Sequence, residues 1–298
     1  MKIGIITPTY NRIFLLERLY KSLLKQNSLF YIWIIIDDGS TDSTESIIQE
    51  WINSDNSIQI RYYKKNNSGK SSALNYGFKS NPDIDFFAIV DSDDYLLDNA
   101  IQIITQKVNK YYSNSTVGAI SFHYYDTSGK IIGKDNKRFN VEEKIMNIYQ
   151  YSAQNINPDG CIGYYKRVVN EFSFPEYKNE IYVGPSVLPM LMASKYNIVF
   201  TNNVIGVAEY QPEGLSKMGR KLRVRNPLGM LKYCELWQSP LNPSKYIRMK
   251  YAIAAQAYVR LSKLSKSSIL KAGIAKNCFK WWAYPFGWLL SIFWKICD

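Results

Sequence analysis

Apolar and polar positions alternate in short blocks through the first 125 residues. Residues 3–7 form an apolar run with polar ends, as expected of a strand buried on both faces. Over residues 14–26, Leu15, Leu16, Leu19, Leu23 and Leu24 recur at helical spacing. A second strand is predicted over the Ile-rich residues 32–36. A short helix is predicted over 43–51, with acidic residues near its start. A third strand over 58–63, a helix over 71–79 and a fourth strand over 86–90 complete the series. This alternation predicts an α/β fold, with a mostly parallel central sheet and helices on both faces.

Farther along, strands are predicted over 117–125, 162–165 and 198–207, and a helix over 185–196. Gly, Pro and Asn breaks interrupt the pattern between 126 and 180. Residues 211–227 read as a loop rich in Gly and basic side chains. Beyond it the pattern is helical, chiefly over 228–237 and 245–264. The expected division is an α/β domain over 1–226 and a helical region over 227–298.

The chain of 298 residues carries 37 Lys and Arg against 25 Asp and Glu, a net charge of +12. That excess favours an anionic partner: nucleic acid, an anionic membrane surface or a phosphorylated substrate. No nucleic-acid-binding motif accompanies the charge, so nucleic acid is set aside. Cys161, Cys234, Cys278 and Cys297 lie far apart with no C-x-x-C pair, which disfavours zinc and fits a reduced, cytoplasmic compartment. The N-terminus runs directly into strand-like sequence, with no signal-peptide pattern.

In open α/β sheets, ligands gather beyond the carboxyl ends of the strands. Here those ends are polar. The first reads Thr7-Pro8-Thr9-Tyr10-Asn11-Arg12, the second Asp37-Asp38-Gly39-Ser40-Thr41-Asp42, and the fourth Asp91-Ser92-Asp93-Asp94. Asp91 and Asp93, alternate in an extended turn, can aim at one hard cation whose shell a diphosphate completes. The bland alternative is a solvated turn leading into the next helix; its place after a buried strand favours the cation. Asp38 can accept from a base N–H, or the segment can form an Asx turn and helix cap. Gly69-Lys70-Ser71 opens a helix suited to phosphate, or is a plain cap. It is not a P-loop, which needs Gly where Lys64 stands. His123, the one histidine, reads as structural, which disfavours His-dependent hydrolase chemistry. Lys217, Arg220, Lys221, Arg223 and Arg225 suit a diphosphate, anionic lipid or bare solvent. Residues 281–294, WWAYPFGWLLSIFW, are short of the ~20 needed to span a bilayer. Flanked by Lys280 and Lys295, they suit an interfacial segment over 278–298, or a helix packed on protein or in a homo-oligomer.

The strand-end segments, together with Gly69-Lys70-Ser71 through Asn75, fall in an order and spacing that resembles glycosyltransferase family 2, of GT-A fold. The resemblance spans about residues 1–125. A looser likeness to bacterial capsule and cell-surface polysaccharide enzymes lies in Phe174-Pro175-Glu176 and in residues 209–216. It implies inverting transfer from a nucleoside-diphosphate sugar, often a UDP-sugar, with Mn2+ or Mg2+. Pro8, Thr9, Tyr10 and Asp38 would meet the nucleobase. Asp91 and Asp93 would serve ribose, diphosphate and metal, Asp93 foremost for the metal. Arg12, Lys70 and Ser92 complete the implied donor-binding set. Relatives often carry an acidic base just before the helix at 185; this chain has Gly184-Pro185 there, and Glu180 is the nearest candidate. The resemblance implies a lipid-linked or polysaccharide acceptor and peripheral association with the inner face of the cell membrane. The doubtful base leaves a second reading, a catalytically silent nucleotide-sugar-binding partner of another enzyme. A third, a nucleotidyltransferase, would release pyrophosphate.

Overall fold

The computed structural model describes residues 1–27, 31–54, 57–133, 138–154, 160–209, 211 and 215–296. Its first strands are β1 (Ile3–Thr9), β2 (Tyr31–Asp37), β3 (Gln59–Lys64) and β4 (Phe86–Ile89), joined through helices α1 (Ile13–Leu24), α2 (Thr44–Ser54) and α3 (Lys70–Ser80). They lie in parallel in the order β3-β2-β1-β4. β1 and β2 are buried along their whole length. The two-residue period of a strand therefore sends apolar side chains to both faces. Ile3, Ile5, Trp33 and Ile35 share a core with α1, α2 and α4 (Ala100–Tyr111). Ile6 and Ile36 face α3 instead. A Cβ on Gly77 of α3 would come within 2.5 Å of Ile6 and 2.9 Å of Ile36. Glycine at 77 is what lets this helix lie close on the sheet. Tyr20, Trp33 and Trp51 stack on the opposite face, with ring centroids 4.3–6.0 Å apart.

The other half of the sheet is mixed. It contains β5 (Asp94–Leu96), β6 (Val117–Tyr125), β7 (Glu143–Met146), β8 (Ile162–Tyr165) and β9 (Asn197–Ala208). β8 runs antiparallel between β4 and β6, β5 and β7 run antiparallel to β9, and β6 is parallel to β9. The expected α/β class holds, but parallel pairing dominates on one side only. The short strand β5 was invisible in the sequence because its three residues depend on partners more than one hundred positions away.

The chain divides into two compact units. One contains Met1–Ser173 and Lys195–Tyr210, and the other Phe174–Ser194 and Gln211–Asp298. The division thus differs from the single boundary expected at 226, because residues 174–194 join the helical unit. α5 (Ile148–Ser152) and α6 (Lys166–Val169) belong to the sheet unit. The helical unit holds α7 (Val187–Met192), α8 (Leu215–Arg225), α9 (Pro227–Trp237), α10 (Lys245–Ser262), α11 (Lys266–Lys271) and α12 (Tyr284–Ile296). Its core joins Leu231, Cys234, Ala255, Tyr258 and Cys278. The predicted basic loop is helical, with a kink where Gly219 takes φ 47°. Cys161, Cys234 and Cys278 are buried thiols. Cys297, Tyr210 and residues 212–214 lie outside the described residues, as do the side chains of Leu215, Ser216 and Lys217.

Valine at 77 would drive branched methyls into Ile6 and Ile36. We expect Gly77→Val to lower the unfolding free energy by about 1–3 kcal/mol, seen as a reduced urea midpoint at unchanged m-value.

Candidate functional site

Three loops at the carboxyl ends of β1, β2 and β4, with the segment leading into α3, carry the residues singled out in the sequence. Their mutual bonds explain the local folding. Asn11 adopts φ 51°, a left-handed conformation that asparagine tolerates better than most residues. From there its N–H donates to Ser40 Oγ at 2.9 Å, and its Oδ1 accepts from the Thr41 N–H at 2.8 Å. Asp37 is fully buried, accepting from the Ser40 N–H at 2.7 Å and the Tyr62 hydroxyl at 2.7 Å. Asp42 accepts from the Thr44 N–H at the start of α2. Of the alternatives considered for this segment, the Asx turn is present, on Asp42 at the start of α2, while Asp37 bonds three residues on. Gly39 takes φ 88°, and a Cβ there would stand 3.0 Å from the Asn67 nitrogen.

Asp38 was expected to face a nucleobase. It is buried and bonded to its own protein. Oδ1 accepts from Lys65 Nζ at 2.8 Å and the Ser68 N–H at 3.0 Å, and Oδ2 from the Gly69 N–H at 2.7 Å. These bonds hold the segment 65–69 that delivers Lys70. Lys65 was not singled out in the sequence. The usable signal was strand alternation: Lys64 and Lys65 must point to opposite sides. They do, to Glu45 and to Asp38.

Lys70, the first residue of α3, donates to Asp91 Oδ2 at 2.5 Å. Arg12 Nη1 donates to Asp93 Oδ2 at 2.9 Å. Both pairs are partly buried, with the Asp93 side chain 19% exposed. Burial, and then the Asp91 charge, push the Asp93 carboxyl up, against the pull of Arg12. For Lys70, burial lowers the affinity for its proton, but Asp91, Asp94 and Asp93 together more than reverse this. Asp91 Oδ1 is buried with no hydrogen-bond partner among the described residues. Leaving such an acceptor unanswered costs about 1–3 kcal/mol, and more when charged. Ser92, between the two carboxylates, is buried, as are Pro8 and Thr9. Tyr10 is 46% exposed at the same rim.

Among the described residues, no three His, Cys, Asp or Glu side chains converge. The carboxylates at this rim that could meet a cation are Asp91 and Asp93. That donor set, with an orphaned carboxylate oxygen, fits a hard divalent ion that takes its remaining ligands from phosphate and water.

Glu180 belongs to the other unit. Its Oε1 accepts from the Leu228 N–H and its Oε2 from the Gly229 N–H, both at 2.8 Å. Burial raises its carboxyl and these amides pull it back, with a net upward shift. Both oxygens thus answer the open end of α9 and favour its positive pole. Glu180, the candidate base, thus carries the contacts of a helix cap. The sequence offered a hint in Asn226-Pro227, a helix start awaiting an acidic partner. His123 is buried, and burial with nearby Arg138 lowers its imidazole to about 4, so it is neutral at pH 7.

The site is therefore the rim of an α/β sheet, where Asp91 and Asp93 meet two cations, Lys70 and Arg12, beyond the ends of parallel strands. The sequence profile of Glycosyl transferase family 2 matches residues 4–172, more than half the chain, and the protein belongs to that family. An uncharacterised glycosyltransferase of Mycoplasma genitalium is 32% identical over 138 residues, 45% of each chain. A Campylobacter jejuni protein named GalNAc(5)-diNAcBac-PP-undecaprenol beta-1,3-glucosyltransferase is 32% identical over 113 residues, 38% of this chain and 36% of its own. The chain therefore matches less than half the length of these relatives. Among solved structures, S. aureus TarS 1-349 in complex with UDP-GlcNAc aligns over 100% of this chain and 93% of its own, with TM-score 0.62 and 15% identity. Mannosyltransferase PcManGT from Pyrobaculum calidifontis, in complex with GDP-Man and Mn2+, aligns over 99% and 84%, with TM-score 0.58 and 16% identity. These likenesses establish the GT-A fold.

Replacing Glu180 by Ala leaves two amides of α9 unanswered. The expected loss of stability is about 1–3 kcal/mol in urea denaturation, with nucleotide affinity by calorimetry unchanged.

Proposed function

We propose that the protein is an inverting glycosyltransferase that moves a sugar from a nucleoside-diphosphate donor, first of all a UDP-sugar, to a lipid-linked or cell-surface glycan. The observation that carries this reading is the coupled pair Asp91 and Asp93 at the end of β4, bonded to Lys70 and Arg12. A sugar diphosphate brings negative charge that grows on its leaving oxygen during transfer. Groups that answer such charge are worth most when fixed beforehand and shielded from water. Asp91 and Asp93 would hold Mn2+ or Mg2+. Such an ion supplies Lewis-acid stabilisation of the departing diphosphate.

The chain's own residues do the rest. Lys70 and Arg12 bring positive charge to the diphosphate. Tyr10, with Pro8 and Thr9 behind it, offers the exposed ring at the rim for the nucleobase. Asp38 acts one layer back, by fixing the segment that carries Lys70. Inversion requires a base for the acceptor hydroxyl. Glu180 instead holds α9, and this favours the second reading, a silent nucleotide-sugar-binding subunit. Manganese beside GDP-Man in the Pyrobaculum neighbour and the PP-undecaprenol named for the Campylobacter relative support the metal and the lipid-linked acceptor.

The helical unit supports work at the inner, anionic face of a membrane. No helix among the described residues is long and apolar enough to cross one. α12 packs Gly287 and Ser291 inward and leaves Tyr284, Phe286, Trp288, Leu289 and Phe293 exposed. Between residues 236 and 297 every charged side chain is Lys or Arg. Arg260 lies over the Trp288 ring at 5.2 Å and Arg220 over Phe293 at 5.5 Å. An aromatic face rimmed by cations suits an in-plane segment on anionic lipid.

A panel of UDP- and GDP-sugars with Mn2+ and an undecaprenyl-diphosphate glycan acceptor tests the reaction. The expected outcome is free nucleoside diphosphate, with Asp93→Asn slower by about 10²-fold or more. Donor binding without turnover would select the silent subunit, and released pyrophosphate a nucleotidyltransferase. For the membrane, we expect co-sedimentation with phosphatidylglycerol vesicles but not phosphatidylcholine, weakening with salt. Leu289→Ser with Phe293→Ser should reduce vesicle binding about tenfold or more. A dimer that the same double variant dissociates, without vesicle binding, would assign this face to a second copy instead.

A further inference from the structure

Asp91 and Asp93 are not simply an acidic pair open to a cation. Each already has a cationic partner on a separate element: Lys70 at the start of α3, and Arg12 in the loop after β1. The two partners differ in what they can do. The Arg12 guanidinium is a planar, permanently charged fork. Lys70 is a compact ammonium on a flexible four-carbon stem, with its side chain 33% exposed. It can leave Asp91 without unfolding anything, since α3 is held by its own packing and by Asp38 on Gly69.

We propose that Lys70 is a built-in counter-ion that occupies Asp91 until a diphosphate arrives, so that divalent-cation binding is conditional on the donor. This rests on the functional reading above and concerns the regulation of the same site. A divalent ion on either oxygen of Asp91 would come within a few ångströms of the Lys70 ammonium, and the two would repel. Without diphosphate, the ion on Asp91 either meets the Lys70 ammonium across the carboxylate or displaces it from its hydrogen-bonded partner. With diphosphate, the ammonium transfers to a phosphate oxygen, and Asp91 turns to the ion. No bond is made or broken covalently; one cation replaces another on a carboxylate. The nucleotide and the ion then favour each other's binding by the same factor, as linkage requires. The orphaned Asp91 Oδ1 is consistent with this arrangement, because Lys70 answers only one of the two oxygens.

The test is Mn2+ binding to the full chain, followed by the electron paramagnetic resonance of free Mn2+, with and without UDP. For the native protein, saturating UDP should tighten Mn2+ at least about tenfold. Lys70→Met should bind Mn2+ alone about tenfold more tightly than the native protein, and the gain from UDP should largely vanish. Lys70→Arg, which keeps the charge, should retain the coupling. Lys70→Gln, which keeps a donor for Asp91, carries the same comparison should Lys70→Met fold poorly by circular dichroism. Mn2+ binding to the folded neutral variants that is undetectable, or no tighter than native, overturns the proposal whether or not UDP binds. Failure of the native protein to bind any nucleoside diphosphate would instead overturn the functional reading.

Discussion

Two carboxylates that repel each other at the end of a buried strand set the terms for this protein. Asp93 is largely drawn out of water, and the neighbouring Asp91 adds to the cost of its charge. Such a pair persists only if positive charge is supplied at fixed positions. The structure supplies it from two directions, through Arg12 after β1 and Lys70 at the head of α3. Each must be aimed by its own loop, so the architecture around the rim serves to hold those loops.

The means are small and mutually dependent. Asn11 in its left-handed conformation joins the first loop to the second through Ser40 and Thr41. Asp38 joins the second to the approach of α3 through Ser68 and Gly69. Gly77 lets α3 lie close on Ile6 and Ile36, which fixes the origin of Lys70. A change in any one of these moves a cation relative to its carboxylate. Residues that touch no ligand therefore belong to the functional description.

The helical unit follows a different logic. Basic side chains outnumber acidic ones in it, and its last helix turns aromatic rings outward under arginine guanidinium groups. Glu180 is an acidic exception with a clear purpose, since its oxygens answer the amides that open α9. A carboxylate placed to complete a helix cannot be told from a catalytic one by its position in the chain. The difference lies in what its oxygens touch.

The alternation of elements, the burial of β1 and β2 and the polar strand ends were legible in residue order alone. Periodicity and strand-end chemistry are local properties, written in neighbouring positions. So were the segments shared with family 2, since they recur at short spacing. The pairing of Lys70 with Asp91, the inward turn of Asp38, the capping role of Glu180 and the antiparallel strand β5 were decided only in three dimensions. Each joins residues from 21 to more than one hundred positions apart. Such pairings depend on how elements pack. A helix that sits closer to the sheet by the width of one methyl group changes which charges meet, and no periodicity along the chain records that distance.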